Sequence, residues 1–228
     1  MKKLRGIILV IGCLFLGACG KKKDYGDYLD HMPKSILVLP PLNNSVDVTA
    51  TDNYLSTVTK PLAEAGYYVF PVTVVNHMMK ENGLPTPFEM HNVPLDKLEN
   101  IFGADAVLYI TIKNWGQSYH VINTVTTVSL VFKLVDIKTG TLLWQQAETV
   151  RSSSGDGQNS ILGQLASAIV VKVVDSMTER DTSRPLAINA NHRAFNNKKY
   201  GLIKGHRHPK YKEDQLRKIN EREKLETQ

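Results

Sequence analysis

Ala104-Asp105-Ala106-Val107-Leu108-Tyr109-Ile110-Thr111-Ile112 is the stretch whose reading decides the fold. Leu108, Ile110 and Ile112 alternate with Tyr109, Thr111 and Lys113, the period of a strand with one buried and one wetter face. Downstream, a turn is expected at 116–119, around Gly116. A long strand follows in which Ile122, Thr124, Thr126, Val128, Leu130, Phe132 and Leu134 share a face. Asp136-Ile137-Lys138-Thr139-Gly140 supplies the next turn, with Gly140 able to take positive φ, and 141–150 return as a strand carrying Leu142 and Trp144. These residues together predict an antiparallel meander of three strands.

Upstream, Ser35-Ile36-Leu37-Val38-Leu39 is wholly apolar and closed by Pro40-Pro41, as a buried central strand would be. Tyr54, Leu55, Val58, Leu62 and Ala65 recur at helical spacing ahead of Gly66, although Pro61 should kink that helix near Thr57 or begin a second one. A second strand covers 67–70. A short helix over 72–82 should turn Val75, Met78 and Met79 inward, 82–93 reads as a loop, and Pro94 opens a helix whose inner face is Leu95, Leu98, Ile101 and Phe102. After the meander comes a Ser/Gly loop, then a helix over 160–178 with Leu162, Leu165, Ile169, Val173 and Met177 on one stripe, expected to cover the meander's apolar face. The fold class is therefore α+β. A mixed sheet of about five strands runs β-α-β-α-α, then the meander and a C-terminal helix, in a single domain.

Charge divides the chain. Residues 1–23 hold six basic and no acidic side chains, 24–183 ten basic and seventeen acidic, and 184–228 twelve basic and five acidic. An acidic body argues against a nucleic-acid-binding domain, which carries its basic stripe on the folded face. The beginning is basic, through Lys2, Lys3 and Arg5, followed by an apolar run over 7–15 and small residues, the layout of a cleaved secretory leader. Leu16-Gly17-Ala18-Cys19 closes it.

Those four residues resemble the lipobox of bacterial lipoproteins. The resemblance implies cleavage before Cys19, a diacylglycerol on its sulfur and an acylated amino group. Gly20, standing where aspartate would retain a lipoprotein at the inner membrane, implies the periplasmic face of the outer membrane, and Lys21, Lys22 and Lys23 would add attraction to anionic headgroups. The boundaries that follow are 1–18 for the signal peptide, 19–34 for a lipidated N-terminus and linker, 35–183 for the α+β domain and 184–228 for a basic C-terminal tail. Cys13 leaves with the leader and Cys19 is capped, so the mature chain has no disulfide.

Gly103-Ala104-Asp105-Ala106-Val107-Leu108, and Asp136 through Thr139-Gly140 to Leu143-Trp144, resemble stretches of the envelope domains of TolB, LpoB and the curli secretion lipoprotein CsgG. From its lipobox to Gly201-Leu202-Ile203 and His206-Arg207-His208-Pro209-Lys210-Tyr211, the chain is similar to a family of bacterial outer-membrane lipoproteins of unknown function.

Signatures of enzyme chemistry are missing from the sequence, which has no Gly-x-Ser-x-Gly, phosphate loop, His-Glu-x-x-His or Cys-x-x-Cys. His206 and His208 place two imidazoles near one another, but two ligands do not make a metal site. Ser152 to Gly157 lacks the carboxylates calcium needs. Tyr67, Tyr68, Tyr109 and Trp144 read either as an aromatic binding patch or as core. Neither a cofactor nor catalytic residues are expected. The expected protein is a non-enzymatic lipoprotein that works through envelope proteins as an accessory or assembly factor of a transport or secretion system. A CsgG-like pore subunit and a small-ligand binder or enzyme are the alternatives. Strand 141–150 would leave an open sheet edge, so either the tail around 201–211 crosses back over the domain or a symmetric homodimer forms.

Overall fold

The computed structural model describes residues 25–119, 124–153 and 182–226. The leader, Cys19 and the helix expected over 160–178 lie outside them. The elements are α1 (Gly26–His31), β1 (Ser35–Val38), β2 (Leu42–Asn43), α2 (Ala50–Glu64), β3 (Tyr68–Val69), α3 (Val72–Glu81), α4 (Pro87–His91), α5 (Leu95–Phe102), β4 (Ala106–Tyr119), β5 (Thr124–Asp136), β6 (Leu142–Ser153), α6 (Ser183–Asn196) and α7 (Tyr211–Glu226).

The class is α+β, with a mixed sheet of six strands ordered β3-β1-β4-β5-β6 and the short β2 pairing with β4. β1 lies parallel to β3 and β4, while β4, β5 and β6 form the antiparallel meander. Alternation along the strands sorts the side chains into two cores. Ile36, Val38, Leu108, Ile110, Leu130 and Phe132 pack under α1, α2 and α6, whereas Leu37, Leu39 and Val107 meet Val75, Met79, Met90 and Leu98 on the other face. At about 25 cal/mol per Å² of apolar area removed from water, this two-sided burial is what favours the sheet over a solvated chain.

β4 runs straight through the expected turn at 116–119. A bulge between Ile112 and Asn114 makes Lys113 an extra residue, so Ile112 and Trp115 both point inward although they differ in parity. Gly116, at φ 121°, is paired with Thr127 inside the ladder. A glycine within a strand pattern marks such an irregularity as readily as it marks a turn. The same effect at the start of β6 leaves Leu142 exposed and buries Leu143 beside Trp144. Met78 and Ile101, expected inward, are exposed, and the loop over 82–93 contains α4, whose Thr86 and Glu89 form a reciprocal capping box.

Pro61 neither breaks α2 nor starts a new helix. Its missing N–H leaves the Thr57 carbonyl without the usual helical donor. Asn191 of α6 replaces that donor: its Nδ2 reaches the Thr57 carbonyl at 3.2 Å and Oγ1 at 3.0 Å, while its Oδ1 accepts the Tyr54 hydroxyl at 2.8 Å. All of these side chains are buried, so the proline's defect becomes a specific lock between two helices.

The stretch after residue 183, read as a polar tail, begins as a core helix. Leu186, Ala187, Ala190, Ala194 and Phe195 of α6 are fully buried against the sheet, and α6 packs on α2, β5 and β6. Phe195 meets Phe132 and Trp144 at ring-centroid distances of 5.2 and 5.9 Å.

Candidate functional site at the N-terminal corner

Residues 25–34, read as part of a linker, fold into the domain through two tyrosines. Tyr25 and Tyr28 flank the first turn of α1 and both rings are buried. The Tyr25 hydroxyl donates to the Gly201 carbonyl at 2.6 Å, and the Lys218 ammonium lies 4.0 Å above its ring, a cation held over the negative face of an aromatic. The Tyr28 hydroxyl donates to that of Tyr67 at 2.6 Å, and Tyr67 donates to the carbonyl of Ile203. Burial pushes all three phenols well above the usual tyrosine range, so they remain neutral donors at physiological pH. Burial also lowers the pKa of Lys218, opposed by Glu221, whose carboxylate lies 3.3 Å away.

The receiving half of this corner is the segment between α6 and α7. Leu202 and Ile203 are buried, the Gly205 N–H donates to the Ala65 carbonyl at 2.8 Å, and the Arg207 N–H donates to Gly66 at 3.2 Å. Two glycines permit this seam. A Cβ on Gly66, which also has φ of +96°, would sit 2.6 Å from the Gly205 oxygen, and one on Gly205 would sit 2.5 Å from the Gly66 oxygen. The segment therefore crosses back over the domain, one of the two outcomes expected for 201–211. It seats on the corner after α2, and the Tyr200 carbonyl accepts the indole N–H of Trp144 on β6 at 2.7 Å.

α7, expected as an exposed charged helix, closes the corner with two buried charged residues. Asp214 accepts from the Lys204 N–H at 2.8 Å and pairs with Arg217, while Lys218 points at the carbonyls of Lys198 and Lys199. A cavity of about 330 Å³ opens beside them, lined by Lys198, Lys204, Lys210, Asp214 and Arg217 among others.

The side chains singled out in the sequence are not brought together. Tyr67 and Trp144 belong to the main core, Tyr109 packs against His91 on the other face, and Tyr68 lies exposed under Arg207. His206 is exposed, and His208 accepts the Lys210 N–H on its Nδ1 within a turn. Ser152 and Ser153 end β6, and the rest of their loop lies outside the described residues. Asp105 and Asp136 have structural work: Asp105 accepts the N–H groups of Lys34 and Ser35, each at 2.9 Å, and Asp136 accepts that of Thr139 at 2.8 Å. The corner itself was missed. Its signal in the sequence was the pairing of tyrosines just before β1 with glycines after α6.

The described residues form an α+β domain whose first helix is clamped by the segment between α6 and α7. Residues 23–207 match the model of a family described as "Putative lipoprotein GNA1162-like", and the chain belongs to that family. The match includes α6 and the seated 201–207 segment. The chain is 40% identical over 215 residues to "Putative lipoprotein NMB1124/NMB1162" of Neisseria meningitidis serogroup B, covering 92% of this chain and 97% of that protein. The crystal structure of lipoprotein GNA1162 from Neisseria meningitidis is 45% identical and superposes with a TM-score of 0.54, covering 63% of this chain and 99% of the other. The C-terminal domain of LpoB from Salmonella enterica is 19% identical, with a TM-score of 0.38 over 52% of this chain and 84% of its own.

Proposed function

We propose that this protein is a non-enzymatic lipoprotein anchored through Cys19 on the periplasmic face of the outer membrane, acting by protein contacts as an accessory or assembly factor of an envelope transport or secretion system. The observation that carries the reading is family membership across 23–207, in a chain whose cysteine directly follows Leu16-Gly17-Ala18. Several acyl chains, each contributing about 0.8 kcal/mol per buried methylene, make such an anchor durable where one short chain would not. Gly20 in place of an aspartate supports the outer-membrane address. The pore alternative gains no support from the outward residues at the far end of the meander. Lys113, Gln117 and Arg151 are exposed there, and a barrel's lipid-facing side would be apolar.

Labelling cells with a radioactive fatty acid tests the anchor. The wild-type chain should take up label and fractionate with the outer membrane after a salt wash, and Cys19→Ala should do neither. Persistence of the variant in that fraction would remove Cys19 as the anchor. Crosslinking in intact cells tests the mode of action, with envelope proteins expected as the captured partners. Turnover of a defined cell-envelope substrate by the purified protein would sink the non-enzymatic reading.

A further inference from the structure

The anchor proposed above, on which this inference rests, and the distribution of charge together select one face of the domain. Cys19 and Tyr25 are six residues apart, a distance that even a fully extended chain bridges with at most about 22 Å. Tyr25 is fixed by its bond to Gly201 and by Lys218, so the tether meets the domain at a rigid point. The surface nearest that point is α1 and the segment that clamps it. Residues 197–224 hold ten basic against four acidic side chains, whereas 24–183 hold seventeen acidic against ten basic. Lys21, Lys22 and Lys23 lie in the tether itself. With Asp27 and Asp30 of α1 counted as well, ten basic side chains face six acidic ones, and this face keeps a positive excess while the rest of the domain is acidic.

We infer that this face docks on the phospholipid headgroups of the leaflet that holds the anchor. Lys198, Lys210 and Lys212 are exposed on it and suit phosphate. The cavity of about 330 Å³ has room for a headgroup phosphate and sets four cations, Lys198, Lys204, Lys210 and Arg217, against two carboxylates, the exposed Glu213 and Asp214, which is held back by Arg217 and the Lys204 N–H. Ile219, 39% exposed, shares a groove with Leu29 of α1, and Leu216 one turn away is 61% exposed, so apolar contacts at the acyl boundary accompany the charged ones. An acidic protein surface would meet the same charges, but the short tether already brings this face to lipid.

The test uses the mature chain from residue 19 onward carrying Cys19→Ser, which has no acyl chains, sedimented with vesicles of phosphatidylcholine alone or with a quarter phosphatidylglycerol. At about 0.05 M salt the anionic vesicles should retain roughly tenfold more protein, and about 0.5 M salt should abolish the difference. Lys198→Glu, Lys210→Glu and Lys212→Glu together should remove the preference, and the corresponding glutamines should reduce it. Lys80→Glu, Lys97→Glu and Lys113→Glu, elsewhere on the domain, should leave it within about twofold. Circular dichroism and melting temperature identify any variant that fails to fold, in which case the glutamine set decides. Equal partition to both vesicle types, an equal loss from the second set of reversals, or capture of an acidic protein without vesicle binding would overturn the proposal. Because the chain tested carries no lipid, docking and anchoring can fail separately: fatty-acid labelling reports on Cys19, sedimentation on this face.

Discussion

The meander and the N-terminal corner are held together by different means. In β4, β5 and β6, a main-chain ladder interrupted by two bulges is combined with buried apolar side chains such as Leu108, Ile110, Leu130, Phe132 and Trp144, so cohesion is spread over many contacts. In the corner, a few directional contacts act: tyrosine hydroxyls on the carbonyls of Gly201 and Ile203, Lys218 over Tyr25, and two glycine backbones touching. α6 belongs to both, since Phe195 is in the sheet's core and its carbonyl accepts the Leu202 N–H at 3.1 Å. Losses in the sheet or α6 should therefore unfold the whole domain, while losses in the corner should open it locally, as sub-global units of lower stability do.

Ala190→Asp tests the first half of that contrast with the largest effect. It places an unpaired carboxylate where α6 meets the core, at a fully buried site, and should destabilise by several kcal/mol, read as loss of a cooperative thermal transition. Retention of the wild-type melting temperature would mean α6 is not docked. Asn191→Ala is the next step down. It strands the Tyr54 hydroxyl and the Thr57 carbonyl freed by Pro61, with an expected cost of about 2–4 kcal/mol by denaturant titration. If Pro61→Ala, which restores a helical donor to Thr57, made Asn191→Ala milder, the lock would be established as the proline's complement.

The corner should respond differently. Gly205→Ala forces apart two backbones that approach within van der Waals distance and should cost about 1–3 kcal/mol. Amide exchange should quicken at Gly205 and Arg207 while β4 and β5 keep their protection. Uniform loss of protection would merge the two regions into one cooperative unit and dissolve the comparison. Tyr28→Phe removes a single buried hydroxyl contact to Tyr67 and should cost about 1 kcal/mol with the same local pattern.

Legibility in the sequence follows the same division. Period two exposed β4 and β5, because a strand buried on one face writes its burial into alternate residues, while β1, buried on both faces, showed itself as a short apolar run closed by prolines. The bulges at Lys113 and at Leu143 were hidden, since one extra residue leaves composition unchanged and only shifts the phase. α6 has a proper helical stripe, at 186, 187, 190, 191, 194 and 195, but builds it from three alanines and an asparagine among its six residues while exposing Ile188. Close packing against the sheet selected small residues there, so the stripe carried little hydrophobicity and its surroundings looked like a tail. The corner was the least legible part. Tyrosine hydroxyls, a buried lysine and main-chain carbonyls meet across more than 170 residues of sequence in the case of Tyr25 and Gly201, and no local period encodes such a meeting.

The chain beyond residue 182 is part of the folded domain and holds the corner in which α1 sits. The most direct measurement of this is a thermal and denaturant melt of residues 19–182 beside residues 19–228. The full-length protein should unfold in one cooperative transition, and the shortened one, without Leu186, Ala190, Asn191 and Phe195, should show no such transition and should expose its core to a hydrophobic dye. A shortened chain that melts cooperatively at the full-length temperature would contradict the account.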